Sequence, residues 1–260
     1  MKALWQFISI IVLGFILITV YSFTSYEFKV GSFSLKKSNV KDFFMPTDSA
    51  ESEMFVNIEI LSEDVKKDTI IVDTTSQRIL LIGDSMLEGL SLRLKQYTAH
   101  NKHKIKTVIW YSSQTKWYGE SDTLRYYIKR YKPTYVMLVL GANELFVRNI
   151  KTKRLKYVKK IISQLDTVPY TWVGPPNWKD DTGINDLIIE NVGEDHYFPS
   201  KNLTYRRYKD GAHPTHSSAA IWMDSIASWI QTKSYYRIKL EKPTKKYKVS
   251  ANTTLLQPLR

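Results

Sequence analysis

A chain of 260 residues with 43% hydrophobic side chains, among them 17 Tyr and 7 Trp, can bury one α/β-sized core with appendages and is too apolar for wholesale disorder. Having no Cys, it is excluded from disulfides, a thiolate nucleophile and Cys-ligated zinc or iron–sulfur sites. The formal net charge of +13 inclines the surface towards anionic surroundings, an acidic envelope polymer or anionic lipid before nucleic acid, since no zinc-finger, RNP-type or basic-zipper pattern accompanies it.

In chain order, the first element is apolar. No charged residue stands between Lys2 and Glu27, and residues 5–23 are almost wholly hydrophobic. About 20 residues at a 1.5 Å rise span roughly 30 Å, the thickness of a hydrocarbon core. No Ala-x-Ala cleavage site follows, so residues 1–24 are read as an uncleaved transmembrane signal anchor. Lys2 and the short amino tail favour an inside amino end against the pull of Lys29, Lys36, Lys37 and Lys41. The remainder is then expected outside the cytoplasmic membrane, periplasmic or on the cell surface. Residues 25–77 read as a membrane-proximal connector of mixed Lys, Ser, Asp and Glu, with one alternating run at 55–60 as an extra strand.

Residues 78–232 alternate strand and helix. Strands are predicted at 79–82, 107–111, 135–140 and 170–173. Leu87, Leu90, Leu94 and Tyr97 recur at helical spacing, as do Leu124, Tyr127, Ile128 and Tyr131. Leu155, Val158, Ile162 and Leu165 make a third such set, and Ala219, Met223, Ile226 and Ile230 a fourth. Near-continuous apolar strands between amphipathic helices imply a parallel sheet covered on both faces. In such sheets ligands bind beyond the carboxyl ends of the strands. Residues 233–260, rich in Lys and Arg against a single Glu241, read as a basic, frayed tail.

The strand ends carry the chemistry. Gly83-Asp84-Ser85 follows the first, Ser112-Ser113-Gln114-Thr115 the second, Gly141-Ala142-Asn143-Glu144 the third, and Gly174-Pro175-Pro176-Asn177-Trp178 the fourth. Asp210-Gly211-Ala212-His213 precedes the last helix. By itself, Gly83-Asp84-Ser85 reads as a helix cap. One glycine without Gly-Lys-Ser/Thr makes no phosphate loop, and Leu87 stands where a nucleophile elbow needs its second glycine. Taken together, the blocks suit acyl transfer. Ser85 would attack a carbonyl, His213 would take its proton and Asp210 would hold the imidazole. The Ser85 N–H, a backbone N–H at Ser112 and the Asn143 amide would receive the oxyanion. His100, His103, His196 and His216 have no partner set for a metal, and this chemistry needs neither metal nor cofactor. Trp117, Tyr118, Trp172 and Trp178 lie near the same edge, where aromatic rings either pack the core or stack on sugars.

In order and spacing, Gly83-Asp84-Ser85-Met86, Gly141-Ala142-Asn143-Glu144 and Asp210-Gly211-Ala212-His213 resemble the blocks of the SGNH (GDSL-type) hydrolase superfamily. The resemblance covers residues 78–230. It implies a flavodoxin-like three-layer α/β/α sandwich with a Ser85, Asp210 and His213 triad and Asn143 in the oxyanion hole. Two positions depart from the family pattern: Ser112 stands where glycine is usual, and Glu144 follows Asn143 where aspartate is usual. Glu144 reads as a structural hydrogen-bonder. The implied function is a membrane-anchored serine esterase acting on a small ester or an acylated glycan, most simply O-acetyl groups of the cell envelope. Two alternatives stand beside it. One is an O-acetyltransferase passing the same acyl-serine to a sugar hydroxyl, since the blocks also look like those of peptidoglycan and polysaccharide O-acetyltransferase domains. The other is a non-catalytic tethered module binding an anionic polymer or lipid through its basic tail.

Overall fold

The structure, a computed structural model, describes residues 5–6, 29–30, 33–34, 71–249 and 252–257. The chain divides into two compact units, Met1–Lys66 and Lys67–Arg260. In the first, Trp5 and Gln6 are helical, and β1 (Lys29–Val30) pairs antiparallel with β2 (Phe33–Ser34). Nearly all of the expected anchor (1–24), most of the connector (25–77) and the run at 55–60 lie outside the described residues. Among the described residues no helix is long and apolar enough to cross a membrane.

The second unit is built on a six-stranded sheet. Its strands are β3 (Arg78–Gly83), β4 (Lys104–Trp110), β5 (Tyr135–Val139), β6 (Tyr170–Val173), β7 (Tyr197–Phe198) and β8 (Thr253–Leu256). They lie in the order β7-β6-β5-β3-β4-β8, and every neighbouring pair is parallel. In β3 every residue after Arg78 is buried, and so is all of β5. Unbroken apolar runs result when a strand is covered on both faces. Ile79, Leu81, Met137 and Val139 pack with α1 (Leu87–His100) and α6 (His216–Thr232). Leu80, Ile82, Val136 and Leu138 pack against α2 (Thr115–Glu120), α3 (Thr123–Tyr131), α4 (Ile150–Leu165) and α5 (Ile184–Val192). The result is an α/β/α sandwich, and its first five strands have the flavodoxin-like order.

Two sequence expectations change. In α4 the buried stripe is Ile150, Val158, Ile161 and Leu165, and Leu155 is rotated off it into solvent. Residues 233–260, expected as a frayed tail, instead run back across the unit over the stretch described. Asp73 bridges Ile238, Ile238 and Leu240 are buried, and the Tyr247 N–H bonds Gln96 Oε1 at 2.7 Å. Thr253–Leu256 then closes the open edge of β4. An edge strand carries unpaired N–H and C=O groups, and pairing them is the gain that draws this segment in.

The topology opens a crevice at one place. β3 leads into α1 on one face of the sheet, whereas β5 leads into α4 on the other. The loops leaving these adjacent strands therefore diverge, the arrangement in which parallel sheets bind ligands. At the mouth of the crevice the two backbones nearly touch. A Cβ on Gly83 would lie 1.8 Å from the Val139 carbonyl oxygen, and the Asp84 N–H donates to that same oxygen at 3.0 Å. Gly83→Ala should therefore wedge the two central strands apart, lowering stability by about 3 kcal/mol or more and depressing soluble yield. Chemical denaturation of the purified variant measures this directly.

Candidate active site

Ser85 occupies the turn between β3 and α1. Helical bonding begins here, with Leu87 N–H donating to Asp84 O at 3.3 Å and Glu88 N–H to Ser85 O at 3.1 Å. The residue before α1 is Met86, with no side-chain cap bond, and Ser85 does not serve as a side-chain cap. The Ser85 hydroxyl instead meets His213 Nε2 at 2.9 Å. Asp84 turns inward: fully buried, it accepts the Met86 N–H at 2.9 Å through Oδ1. Burial pushes its carboxyl up to about 7, against the lowering effect of the Met86 and Ala142 N–H groups and His213, while Glu144 adds to the rise.

His213 and Asp210 sit on a short hairpin. Tyr208 N–H bonds His213 O at 2.9 Å, Thr215 N–H bonds Arg206 O at 2.8 Å, and Arg207 bridges Pro214. The tip is a tight turn in which Gly211, at φ +70°, donates to Tyr208 O at 3.0 Å. This left-handed backbone favours glycine. The turn folds Asp210 back onto its own loop. Oδ1 accepts the Ala212 N–H at 2.9 Å and the His213 N–H at 3.0 Å, and Oδ2 meets His213 Nδ1 at 2.8 Å. Those two backbone N–H bonds, with the imidazole behind them, hold the Asp210 carboxyl down to about 2. The structure thus brings Asp210, His213 and Ser85 together in one continuous hydrogen-bonded chain.

Ser112 and Asn143 stand on the loops to either side. Ser112 adopts φ +57°, a left-handed conformation that a residue with a Cβ takes only at a cost. Among the described residues neither the Ser112 nor the Ser85 N–H has an internal hydrogen-bond acceptor. Asn143 Nδ2 donates to Ser113 O at 3.0 Å, which uses one of its two amide hydrogens. Beneath them Glu144 is wholly buried and joins the two loops. It accepts the Thr115 N–H and Oγ1–H at 2.7 Å each and pairs with Arg154, which also reaches Gln114 Oε1 at 3.2 Å. Glu144 is thus a structural latch between the loops.

Ser85, Ser112, Asp210 and His213 line one cleft of about 450 Å³, together with Glu88, Tyr111, Tyr208 and His216. Tyr208 and His216 had no signal in the sequence beyond their nearness to His213. They meet here because the His216 N–H donates to the Tyr208 hydroxyl at 3.3 Å and the rings pack edge to face. Tyr118 and Trp172 are fully buried, so they pack the core and are not sugar platforms. Trp117 packs at a tilt against Trp110, and Trp178 bonds Ala142 O through its indole N–H at 2.9 Å. His100 and His103 are tied to Tyr247 and to Lys239 O, and His196 lies among Tyr170, Tyr235 and Tyr236.

No protein-family model and no curated protein matches the chain. Solved structures do. The family 3 carbohydrate esterase of Clostridium thermocellum is 16% identical, with a TM-score of 0.44 over 59% of this chain and 94% of that one. The psychrotrophic esterase EstA of Pseudoalteromonas sp. is 18% identical, with a TM-score of 0.42 over 58% and 94%. The C-terminal catalytic domain of Streptococcus pneumoniae peptidoglycan O-acetyltransferase A is 17% identical, with a TM-score of 0.43 over 61% and 94%.

Two outcomes follow from this geometry. Ser112→Gly should raise stability by about 1 kcal/mol, the cost of holding a Cβ-bearing residue left-handed, as read by urea denaturation. Asp84 sets a pH dependence. Its carboxyl titrates at 3.8 in an unfolded chain and about 7 in the fold, so between these values the unfolded state releases a proton that the native state keeps. Its contribution is fully present below the unfolded value and is lost as pH rises through about 7. The wild-type melting temperature should therefore fall as pH rises from about 4 to about 7, and Asp84→Asn should flatten that slope. Identical slopes would assign the titration to another group.

Proposed function

We propose that this chain is a serine esterase of the SGNH (GDSL-type) kind, working through an acyl-serine intermediate. The observation that carries the reading is the relay of 2.9 Å from Ser85 Oγ to His213 Nε2 and 2.8 Å from His213 Nδ1 to Asp210. Ser85 Oγ attacks the ester carbonyl while Nε2 takes its proton, and ionised Asp210 keeps Nδ1 protonated and stabilises the imidazolium. The tetrahedral oxyanion is received by the Ser85 and Ser112 N–H groups and the second amide hydrogen of Asn143. Collapse transfers the Nε2 proton to the departing alcohol. Water then repeats the sequence in reverse on the acyl-serine and frees the acid.

The surroundings bear on the substrate. The side chains of His213 and Asp210 are 37% and 49% exposed, so water and a bulky alcohol both reach the base. That favours hydrolysis of a short acyl group on a large carrier, and an O-acetylated cell-envelope glycan is the substrate class we propose. The apolar residues 5–23 and the net charge of +13 support a membrane-anchored domain on the outer side of the cytoplasmic membrane, beside anionic polymer or lipid.

Full-length wild type should be labelled by a serine-directed fluorophosphonate and hydrolyse p-nitrophenyl acetate, and Ser85→Ala should lose both. Asn143→Ala should keep the fold and lower turnover about 100- to 1,000-fold. A wild type that stays unlabelled would sink the esterase reading, and turnover seen only with an added glycan acceptor would convert it to acetyl transfer.

A further inference from the structure

The loop that bears His213 is the most exposed part of the site. Lys209, Asp210 and Gly211 all face solvent, and the hairpin bonds described above tie the loop only to itself and to its own stem. Beyond the Ser85–His213 bond itself, the side chain of Arg207 ties it to a neighbouring loop of the site. Arg207 Nη1 donates to the carbonyl of Ala212, the residue before His213. Arg207 Nη2 donates to Pro176 O at 2.9 Å and Asn177 O at 2.7 Å, on the loop that follows β6. The guanidinium also lies 5.2 Å from the centre of the Tyr205 ring, and Tyr205 OH is itself anchored to Ser200 O at 2.7 Å. Among the described residues no carboxylate lies within ion-pairing distance of Arg207, so its charge is met by three peptide dipoles. The loop after β6 in turn reaches the oxyanion side, because Trp178 Nε1 donates to Ala142 O at 2.9 Å, one residue before Asn143.

We propose that Arg207 is a positioning residue for His213, bracing the base-bearing loop through Pro176, Asn177 and Trp178 against the loop that carries Asn143. The role rests on the esterase reading above. A planar guanidinium forks to two acceptors at fixed angles and reaches a third from its other nitrogen, whereas an ammonium is a single point of donors on a flexible stem. Partial burial already holds the Arg207 guanidinium below its ordinary range, a cost that a solvated surface arginine does not bear. Without the brace, Asp210 and His213 would keep their mutual geometry, which is internal to the turn, but their distance to Ser85 would spread. Misplacement of a catalytic group by about 1 Å costs on the order of 100-fold in rate. The loss belongs in the chemical step, because Arg207 does not line the cleft that would hold substrate.

The test uses the full chain with p-nitrophenyl acetate and a fluorophosphonate. Arg207→Ala should lower kcat about 100-fold with KM changed less than twofold, and the rate of Ser85 labelling should fall by a like factor. Millimolar guanidinium should restore part of the loss in Arg207→Ala and none in Ser85→Ala. Arg207→Lys, which keeps the charge and stem and serves if the alanine variant does not fold, should recover less than a tenth of wild-type kcat. An active wild type whose Arg207 variants match it in kcat, or lose kcat and KM together without guanidinium rescue, would overturn the proposal. A wild type with no Ser85-dependent labelling would overturn the esterase reading itself, a result distinct from either.

Discussion

The backbone contact between Gly83 and Val139 is the constraint from which the rest of the site is measured. With no Cβ in the way, the Asp84 N–H reaches the Val139 carbonyl at 3.0 Å, and the ends of β3 and β5 stay in register up to the last pair, Gly83 with Val139. From that shared point the chain leaves in opposite directions, to α1 on one face and to α4 on the other. Ser85 and Asn143 are each a few residues downstream, so their relative placement is set by rigid sheet geometry and needs little from the loops. This is the physical content of the rule that parallel sheets bind where their strand order reverses.

The two halves of the site are then held by different means. On the Asn143 side, fully buried Glu144 pairs with partly buried Arg154 and also takes both donors of Thr115. Burial pushes the Glu144 carboxyl up, opposed by Thr115 and Arg154, so the pair is a costly device with a narrow geometry. What it contributes is specificity: the loops after β4 and β5 have one arrangement in which all these groups are satisfied. On the His213 side no such buried pair stands among the described residues. Asp210 and His213 are held by a four-residue turn, and that turn is held by the Arg207 fork. One half is rigid through burial and the other through local bonding.

The strands and long helices were legible in the sequence because burial on both faces writes a continuous apolar run, and burial on one face writes a helical period. The strands at 79–82, 135–140 and 170–173 and the sets led by Leu87, Leu124 and Ala219 needed nothing more. β8 was not legible, since Thr253-Thr254-Leu255-Leu256 follows a lysine-rich stretch and sits at an edge, half covered, where neither period is imposed. α2 and α5 are short, and α5 begins on an Asp181 side chain that takes the Gly183, Ile184 and Asn185 N–H groups, a bonding pattern invisible as periodicity. Within the candidate site, Ser85 was singled out at a strand end and Asp210 and His213 ahead of the last helix, from their side-chain chemistry. Arg207 was not, because its role lies in peptide carbonyls, which every residue has and no sequence pattern marks.

The two aspartates of the site show why nearness in sequence is a poor guide to role. Asp84 adjoins Ser85, yet it is sealed beneath the turn, where burial raises its carboxyl to about 7 and the Met86 N–H takes one of its oxygens. Asp210 is 126 positions beyond Asp84 and open to solvent, yet two backbone N–H bonds hold its carboxyl down to about 2. In the proposed mechanism Asp210 must stay anionic while imidazolium forms beside it, which needs donors, and a three-residue spacing to His213 supplies them from the same turn. Burial would work against that task, because it disfavours the charged form. The exposed aspartate is therefore the one fitted to the histidine. The buried one is fitted to hold the turn from below through the Met86 N–H, and the same burial disfavours its charge.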